Sequence, residues 1–206
     1  MQRETGTHMP GEVDRNEYDF KLTTVRYLDA RPEELTDVGL DPEQLDKWCS
    51  NVFMFGEVVD RGAADGLGMT MRLHVKGFLP HSFFIVVRII DVIQHKYMRV
   101  AVSGDLEGIG DVTLIPDGAG CQWHLDWRMS ITRGWMRPLG KIFHRPMLWN
   151  HKWAMNQAAR LVVDEVHRRR AAAEGRIVEQ RATFPHNLTI VRHWQRRRAS
   201  ATRWRG

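Results

Sequence analysis

The sequence predicts an α+β domain in which one curved antiparallel β-sheet packs against a long C-terminal α-helix. Two observations predict this fold class. Between residues 52 and 131, most segments alternate apolar and polar side chains and are bounded by Gly, Pro or Asp, as in strands with one buried face. From Pro146 no Gly or Pro intervenes until Gly175, and apolar side chains recur every three or four positions, as on one face of a helix.

A first strand and two short helices are predicted before the main run of strands. Residues 18–28 are rich in Thr, Val, Tyr and Phe, a composition typical of a strand. The segment RPEEL (31–35) places a proline and two acids where the first turn of a helix favours them. In DPEQLDKW (41–48), we expect Asp41 to cap a second helix and Gln44 to return the capping-box hydrogen bond.

Six further strands form the main run. One apolar face on each strand, together with short connections, indicates an antiparallel meander with one covered face. The pair Asp117-Gly118 marks a hairpin turn before the last strand. The strands are expected at Val52–Val59, Met69–Lys76, His81–Ile93, Lys96–Ser103, Gly110–Ile115 and Cys121–Ile131.

The long helix is expected to begin near Pro146 and to stop at Gly175. Proline suits the first helical turn because its missing N–H has no partner there, and glycine is common just after a helix ends. One stripe of the helix is predicted to face the sheet, and Trp149 and Trp153 widen its apolar surface. The stripe comprises Leu148, His151, Met155, Ala158, Ala159, Val162 and Val166.

Charge is distributed unevenly along the chain. Up to Val166 there are 19 Lys and Arg against 23 Asp and Glu, a net charge of −4, whereas from His167 there are 11 Arg against 2 Glu, a net charge of +9. The acidic body is therefore not expected to bind DNA. The basic tail has two interpretations. It either contacts an anionic surface or an acidic partner, or it is a solvated extension.

Composition excludes several classes of protein. The hydrophobic and charged fractions of 43% and 27% are typical of a soluble globular protein, and no apolar run approaches the ~18 residues of a membrane span. The N-terminus has no apolar core of a secretory signal. Cys49 and Cys121 are too few for a disulfide framework, which favours free thiols in a reducing compartment. We therefore expect a cytoplasmic protein.

Four segments, in this order, resemble one known superfamily. They are DPEQLDKW (41–48), FLPHSF (78–83), GDLEGIGDVTL (104–114) and WHLDWRMSITRGWMRPLGKIFHRPMLWNHKWAM (123–155). With the strand, two helices, sheet and long helix, they resemble the START-like helix-grip superfamily (SRPBCC), in its polyketide cyclase/dehydrase and lipid transport branch. The resemblance covers about residues 18–168. It implies a sheet wrapped around the helix and a cavity between them for an apolar ligand, but it fixes no activity.

The resemblance also sets the expected domain organisation. Residues 1–16 are expected to form a disordered leader, residues 17–172 a START-like ligand-binding domain, and residues 173–206 a basic C-terminal extension. No metal is predicted, because the histidines have no H-E-x-x-H motif or Cys partner, and no cofactor is predicted, because GDLEGIG (104–110) lacks the glycine spacing of a phosphate loop. No G-x-S-x-G or Cys–His context marks a nucleophile. The expected partner is a small hydrophobic molecule, and the oligomeric state is not predicted.

The alternation of the strands assigns the walls of the expected cavity. Large, adaptable Met and aromatic side chains suit an apolar ligand of irregular shape, although the same residues could instead fill a solid core. The predicted ligand-binding residues of the sheet are Met71, Leu73, Ile85, Val87, Val100, Leu114, Trp123, Leu125, Trp127 and Met129, and those of the helix are His151 and Met155.

His151 is the polar residue predicted to face the sheet. It could orient a ligand carbonyl or act as a general acid or base. The alternative is a packed histidine, either bonded to a nearby carbonyl or capping the early helix with Asn150. No carboxylate lies at motif spacing, so no catalytic residue is predicted. Asp126 and Arg128 alternate away from Trp127 and are interpreted as a surface pair.

Three classes of function remain open. The first is binding or transport of a small hydrophobic ligand, lipid-like or polyketide-like. The second is a polyketide cyclase/dehydratase-type enzyme, in which the pocket orients a flexible chain. The third is a regulatory or scaffold protein that acts through the basic tail. Ionisable side chains facing the cavity would favour the enzyme over the carrier.

Overall fold

The described residues include seven strands, which form one antiparallel sheet in the order β1-β7-β6-β5-β4-β3-β2. The structure, a computed structural model, describes residues 18–79, 81–132, 134 and 144–179. Along the chain these residues form β1 (Phe20–Leu28), α1 (Pro32–Gly39), a 3-10 turn (Pro42–Gln44), α2 (Leu45–Trp48), β2 (Phe53–Asp60), β3 (Thr70–Lys76), β4 (Ser82–Ile93), β5 (Tyr97–Gly104), β6 (Leu106–Asp117), β7 (Gly120–Ile131) and α3 (His144–Ala173).

The sheet is a meander from β2 to β7, and the first strand pairs with the last. β1 lies antiparallel to β7, with Phe20 opposite Met129 and Leu28 opposite Cys121. Residues 29–52, which include α1 and α2, carry the chain from one edge of the sheet to the other. The predicted fold class, a curved antiparallel sheet against a long C-terminal helix, is confirmed.

The strand β6 begins earlier than its glycines predict. The expected start was Gly110, but β6 runs from Leu106, so Gly108 and Gly110 both lie within the strand. Gly110 lies inside the strand, where an added Cβ would come within 2.5 Å of the Trp127 ring on β7. Glycine is therefore needed there because the indole packs directly on the backbone.

The capping box predicted for Asp41 and Gln44 does not form, and a different one is found at the start of α1. At the start of α1, the Glu34 carboxylate accepts a hydrogen bond from the Arg31 backbone N–H at 2.9 Å. The cap predicted at Asp41 is wrong, because its side chain makes no capping hydrogen bond and instead accepts one from Arg169 of α3 at 3.1 Å. The Gln44 side chain accepts a hydrogen bond from Lys47.

The helix α3 begins at His144, two residues before Pro146, and ends as predicted. Gly175 has a positive φ of 74°. Its N–H donates to the carbonyl of Ala172 at 3.0 Å, and the N–H of Arg176 donates to the carbonyl of Ala171 at 2.9 Å. These two bonds define a Schellman motif, which only a residue tolerant of positive φ closes easily.

The hydrophobic core lies between the inner face of the sheet and α3. Its most deeply buried side chains include Val38, Ile89, Leu125 and Val166. The thiols of Cys49 and Cys121 are separate and buried, and burial raises the pKa of Cys49 to about 12.

In the described part of the chain, no helix is long and apolar enough to cross a membrane. The predicted leader (1–16) and the extension beyond residue 179 lie outside the described residues.

Candidate ligand-binding cavity

A cavity of about 390 Å³ lies between the inner face of the sheet and α3. Protein interiors are close-packed, and their voids rarely exceed the size of a water molecule. A space of this size therefore contradicts the solid-core alternative. It falls within the range of roughly 300–1,000 Å³ that is usual for small-molecule sites.

All twelve predicted ligand-binding residues lie on the walls of this cavity. Because strands place alternate side chains on one face, the period-two pattern of β3, β4, β5, β6 and β7 was sufficient to select the ten on the sheet. Their contact with a ligand stays a prediction. The twelve residues are Met71, Leu73, Ile85, Val87, Val100, Leu114, Trp123, Leu125, Trp127, Met129, His151 and Met155.

Further wall residues come from elements that the prediction left out. The first strand contributes Phe20 and Leu22, whose alternation is visible in the sequence and could have identified them. Leu40, beyond the end of α1, and Trp48 of α2 also line the cavity. Their position depends on how the segment between β1 and β2 packs against the sheet, and no local pattern encodes that packing.

Polar nitrogen atoms are buried among these apolar walls. The indole Nε1 of Trp127 on β7 and the imidazole Nε2 of His151 on α3 are both shielded from solvent and have no hydrogen-bond partner among the described residues. Their rings meet edge-on, with centroids 6.2 Å apart and planes at 79°. The indole Nε1 of Trp48, another wall residue, is buried and without a partner among the same residues.

Burial lowers the pKa of His151 from its ordinary 6.5 to about 4. Loss of hydration is the cause, and no charged group of the described chain opposes it. The imidazole is therefore neutral at neutral pH and is not expected to serve there as a general acid, because it lacks the second ring proton that an imidazolium gives up. Of the two roles predicted for it, orientation of a polar ligand group fits this environment better.

Two features proposed for His151 as a structural residue, a helix cap and a carbonyl bonded to its Nε2 atom, are absent from the described residues. His151 lies in the eighth position of α3, beyond the first turn, so the capping alternative is wrong. Its neighbour Asn150 instead accepts a hydrogen bond from the backbone N–H of Leu79 at 2.9 Å, which ties the loop after β3 to α3. No carbonyl of the described chain bonds to the His151 Nε2 atom.

Comparison with known proteins identifies the architecture. No family model matches the chain, and no curated protein matches it. Among solved structures, the protein TTHA0849 from Thermus thermophilus superposes with a TM-score of 0.55 at 19% identity, over 70% of this chain and 98% of that one. A START superfamily protein from Mycobacterium smegmatis gives 0.52 at 16% identity, over 68% and 97%.

The ZhuI aromatase/cyclase from Streptomyces sp. R1128 is similar to the same degree, with a TM-score of 0.52 at 14% identity over 75% of this chain and 97% of that one. The chain has the START-like helix-grip fold. At these identities the likeness establishes the fold alone, because one fold hosts many functions.

A network of charged and polar side chains joins β5, β6 and β7 on the sheet. The Asp111 carboxylate of β6 accepts hydrogen bonds from Tyr97 Oη and Arg99 Nε, each at 2.6 Å, and it pairs with Arg128 of β7. Asp126 instead accepts a hydrogen bond from Thr23 of β1. The predicted pair between Asp126 and Arg128 is therefore wrong, although both residues do alternate away from Trp127 as expected.

An aromatic cluster lies at the N-terminal end of the gripped helix. The ring of Phe78, in the loop after β3, packs edge-on against Trp149 and Trp153 of α3, with centroids 5.2 and 5.8 Å apart. Phe78 is 61% exposed and Trp149 is 50% exposed. These two tryptophans thus extend the apolar surface of α3 toward the loop after β3.

Proposed function

We propose that this chain binds or transports a small hydrophobic molecule, lipid-like or polyketide-like, in the cavity between the sheet and α3. The observation that carries the proposal is the cavity itself, about 390 Å³ of space with walls that are mainly apolar. Filling such a space removes apolar surface of both ligand and protein from water, which stabilises the complex in proportion to the buried area.

A cyclase/dehydratase-type enzyme is the second candidate, favoured by the ionisable side chains on the cavity wall, which include His151 and Lys76. Acid–base catalysis near neutral pH needs a group whose pKa lies near the working pH. Burial instead lowers the pKa of His151 to about 4, with no carboxylate contributing. A neutral imidazole in this environment favours a binding protein over an enzyme.

The other predictions about function remain predictions. A role for the basic tail as a regulatory or scaffold element depends on residues outside the described part of the chain. A cytoplasmic location is supported by the two unpaired, buried cysteines, since disulfides are rare in reducing compartments.

The proposal is tested by filling the cavity. Met155 of α3 lines it, so we expect Met155→Trp to weaken binding of the neutral fluorescent probe N-phenyl-1-naphthylamine about tenfold or more. Because empty space is available, the melting temperature should change little, whereas overfilling a solid core costs ~1–3 kcal/mol.

Lys152→Trp is the matched control, since it adds a tryptophan to an exposed position of the same helix. It should leave probe binding at the wild-type value. The proposal fails if the wild-type protein binds no probe saturably, or if Met155→Trp lowers stability and leaves probe affinity unchanged.

A further inference from the structure

We infer that the ligand carries a neutral hydrogen-bond acceptor, of the ketone, ester or amide type, which is bound by the indole of Trp127 and the imidazole of His151. The inference rests on the proposed function, because it concerns the chemistry of a ligand in the same cavity. It adds a specificity that apolar walls alone do not provide, since hydrophobic attraction is non-directional.

The first support is the unpartnered donor of Trp127. An indole N–H can only donate a hydrogen bond, and the Nε1 atom of Trp127 is buried with no acceptor among the described residues. A buried donor left without an acceptor costs about 1–3 kcal/mol, and such groups are uncommon in native proteins. A ligand oxygen that accepts from this N–H would recover that cost, whereas a pure hydrocarbon would not.

The second support is the position of His151. It approaches the cavity from α3, opposite Trp127 on β7, and the two rings lie 6.2 Å apart between centroids. Its Nε2 atom also lacks a partner in the described chain. A carbonyl oxygen has two lone pairs, so one oxygen can accept from both rings when the imidazole carries its proton on Nε2. Both nitrogens are shielded from solvent, so this contact requires the two side chains to rotate.

The third support concerns charge. An anionic group such as a carboxylate would need a cation beside it, because burial of an unpaired charge is far more costly than burial of a neutral polar group. The imidazole supplies no such cation, since burial keeps it neutral at neutral pH. The walls next to the two rings, Leu125, Met129 and Met155, are apolar, and the cations on the cavity wall include Lys76 at the end of β3, whose pKa burial lowers. The neutral acceptor is therefore assigned to the two rings and not to the whole cavity.

Fluorenone and fluorene provide the test, because these two tricyclic molecules differ only in a carbonyl in place of a methylene group. Binding of each is measured by equilibrium dialysis at pH 7. We expect the wild-type protein to bind fluorenone about five- to tenfold more tightly than fluorene, although fluorene is the more hydrophobic molecule. The preference should fall to about one in Trp127→Phe and in His151→Phe; the ratio of the two affinities is compared because each change of the wall can alter the binding of both molecules.

Trp123→Phe is the matched control. Trp123 lies on the same face of β7 and lines the same cavity, so it undergoes the same change of ring without loss of the proposed donor. It should keep the wild-type preference. Melting curves establish that each variant is folded.

The outcomes separate the two proposals. If the wild-type protein binds both molecules with equal affinity, and Trp127→Phe alters neither, the acceptor inference is overturned and the binding function stands. If the preference falls equally in Trp123→Phe, the specific role of Trp127 is overturned. If neither molecule binds the wild-type protein, both the inference and the binding function are contradicted.

Discussion

His151 illustrates how its surroundings decide the chemistry of a single residue. The sequence places this histidine on the sheet-facing stripe of the helix, and the structure places it on the cavity wall. An imidazole in water titrates near neutrality and would suit acid–base catalysis. In this wall, loss of hydration lowers its pKa to about 4. The residue therefore acts as a neutral polar group through the physiological range.

A pH dependence of stability follows from this shift. Between the ordinary pKa of 6.5 and the folded pKa of about 4, the unfolded chain binds a proton at His151 and the folded chain does not. The free energy of unfolding therefore falls as the pH drops through this window. From pH 7 to 4.5, we expect the wild-type protein to lose about 2–3 kcal/mol more than His151→Phe.

Urea denaturation of both proteins at the two pH values measures this difference. Carboxylates that lose favourable interactions on protonation, such as Glu34 and Glu165, affect both proteins alike, so the comparison isolates the histidine. Parallel losses in the two proteins would contradict a buried, neutral imidazole.

At the scale of elements, a set of ion pairs joins the C-terminal half of α3 to α1 and the 3-10 turn. Arg170 binds Glu34 through two hydrogen bonds, at 2.7 and 2.6 Å, and Arg169 bridges Asp41 and the buried Glu165. The side chain of Glu34 is only 16% exposed, and the Arg170 guanidinium holds the pKa of that carboxyl well below its usual range. Part of the basic charge counted in the tail is thus neutralised within the fold.

These contacts predict that substitutions of two adjacent acidic residues will lower the free energy of unfolding by different amounts. Glu34→Gln should lower the free energy of unfolding by about 1–2 kcal/mol, because it weakens charge-assisted hydrogen bonds to Arg170. Glu33→Gln removes a carboxylate from the same first turn of α1, but Glu33 is exposed, so its effect should remain below about 0.5 kcal/mol. Chemical denaturation compares the two, and equal losses would mean that the pairing contributes nothing.

The sequence patterns predicted which strands and helices form more accurately than where these elements begin and how the helices are capped. Strand-like composition selected β1, and alternation selected most of the other strands described in the sheet, because most of them bury one face. The start of β6 was misplaced because glycine usually interrupts a strand, whereas Gly110 provides space for the Trp127 ring. The cap at Asp41 was misassigned because that carboxylate is taken by Arg169, a residue 128 positions away. Such choices depend on tertiary contacts, which a local pattern does not encode.

At the scale of the whole molecule, the helix grip leaves a space that its elements do not fill. The periodicities were sufficient to assign the twelve wall residues, because they fix which faces meet. They were not sufficient to find the nitrogens of Trp127 and His151 that lack a partner among the described residues, since hydrogen bonding depends on rotamers and on neighbouring elements. These two nitrogens can therefore be identified only from the structure.

The basic extension gives a prediction at the same scale. The helix ends in a Schellman motif at Gly175, the residues that follow it up to Glu179 are exposed, and Ile177 is 96% exposed. We expect deletion of residues 180–206 to leave the melting temperature nearly unchanged, because few buried contacts would be lost. A fall of many degrees would instead mean that apolar tail residues dock onto the domain. Those residues are Phe184, Leu188, Ile190 and Trp194.

The location of a bound ligand is the most direct test of the central claim that the space between sheet and helix is a ligand site. Crystals of the protein would be soaked with 2-bromofluorene, an apolar molecule whose bromine is located by anomalous scattering. We predict a bromine peak between β7 and α3, close to Trp127 and Met155, and its loss in Met155→Trp. A bromine peak confined to the exposed Phe78 and Trp149 surface, or no peak in well-diffracting crystals, would contradict the account.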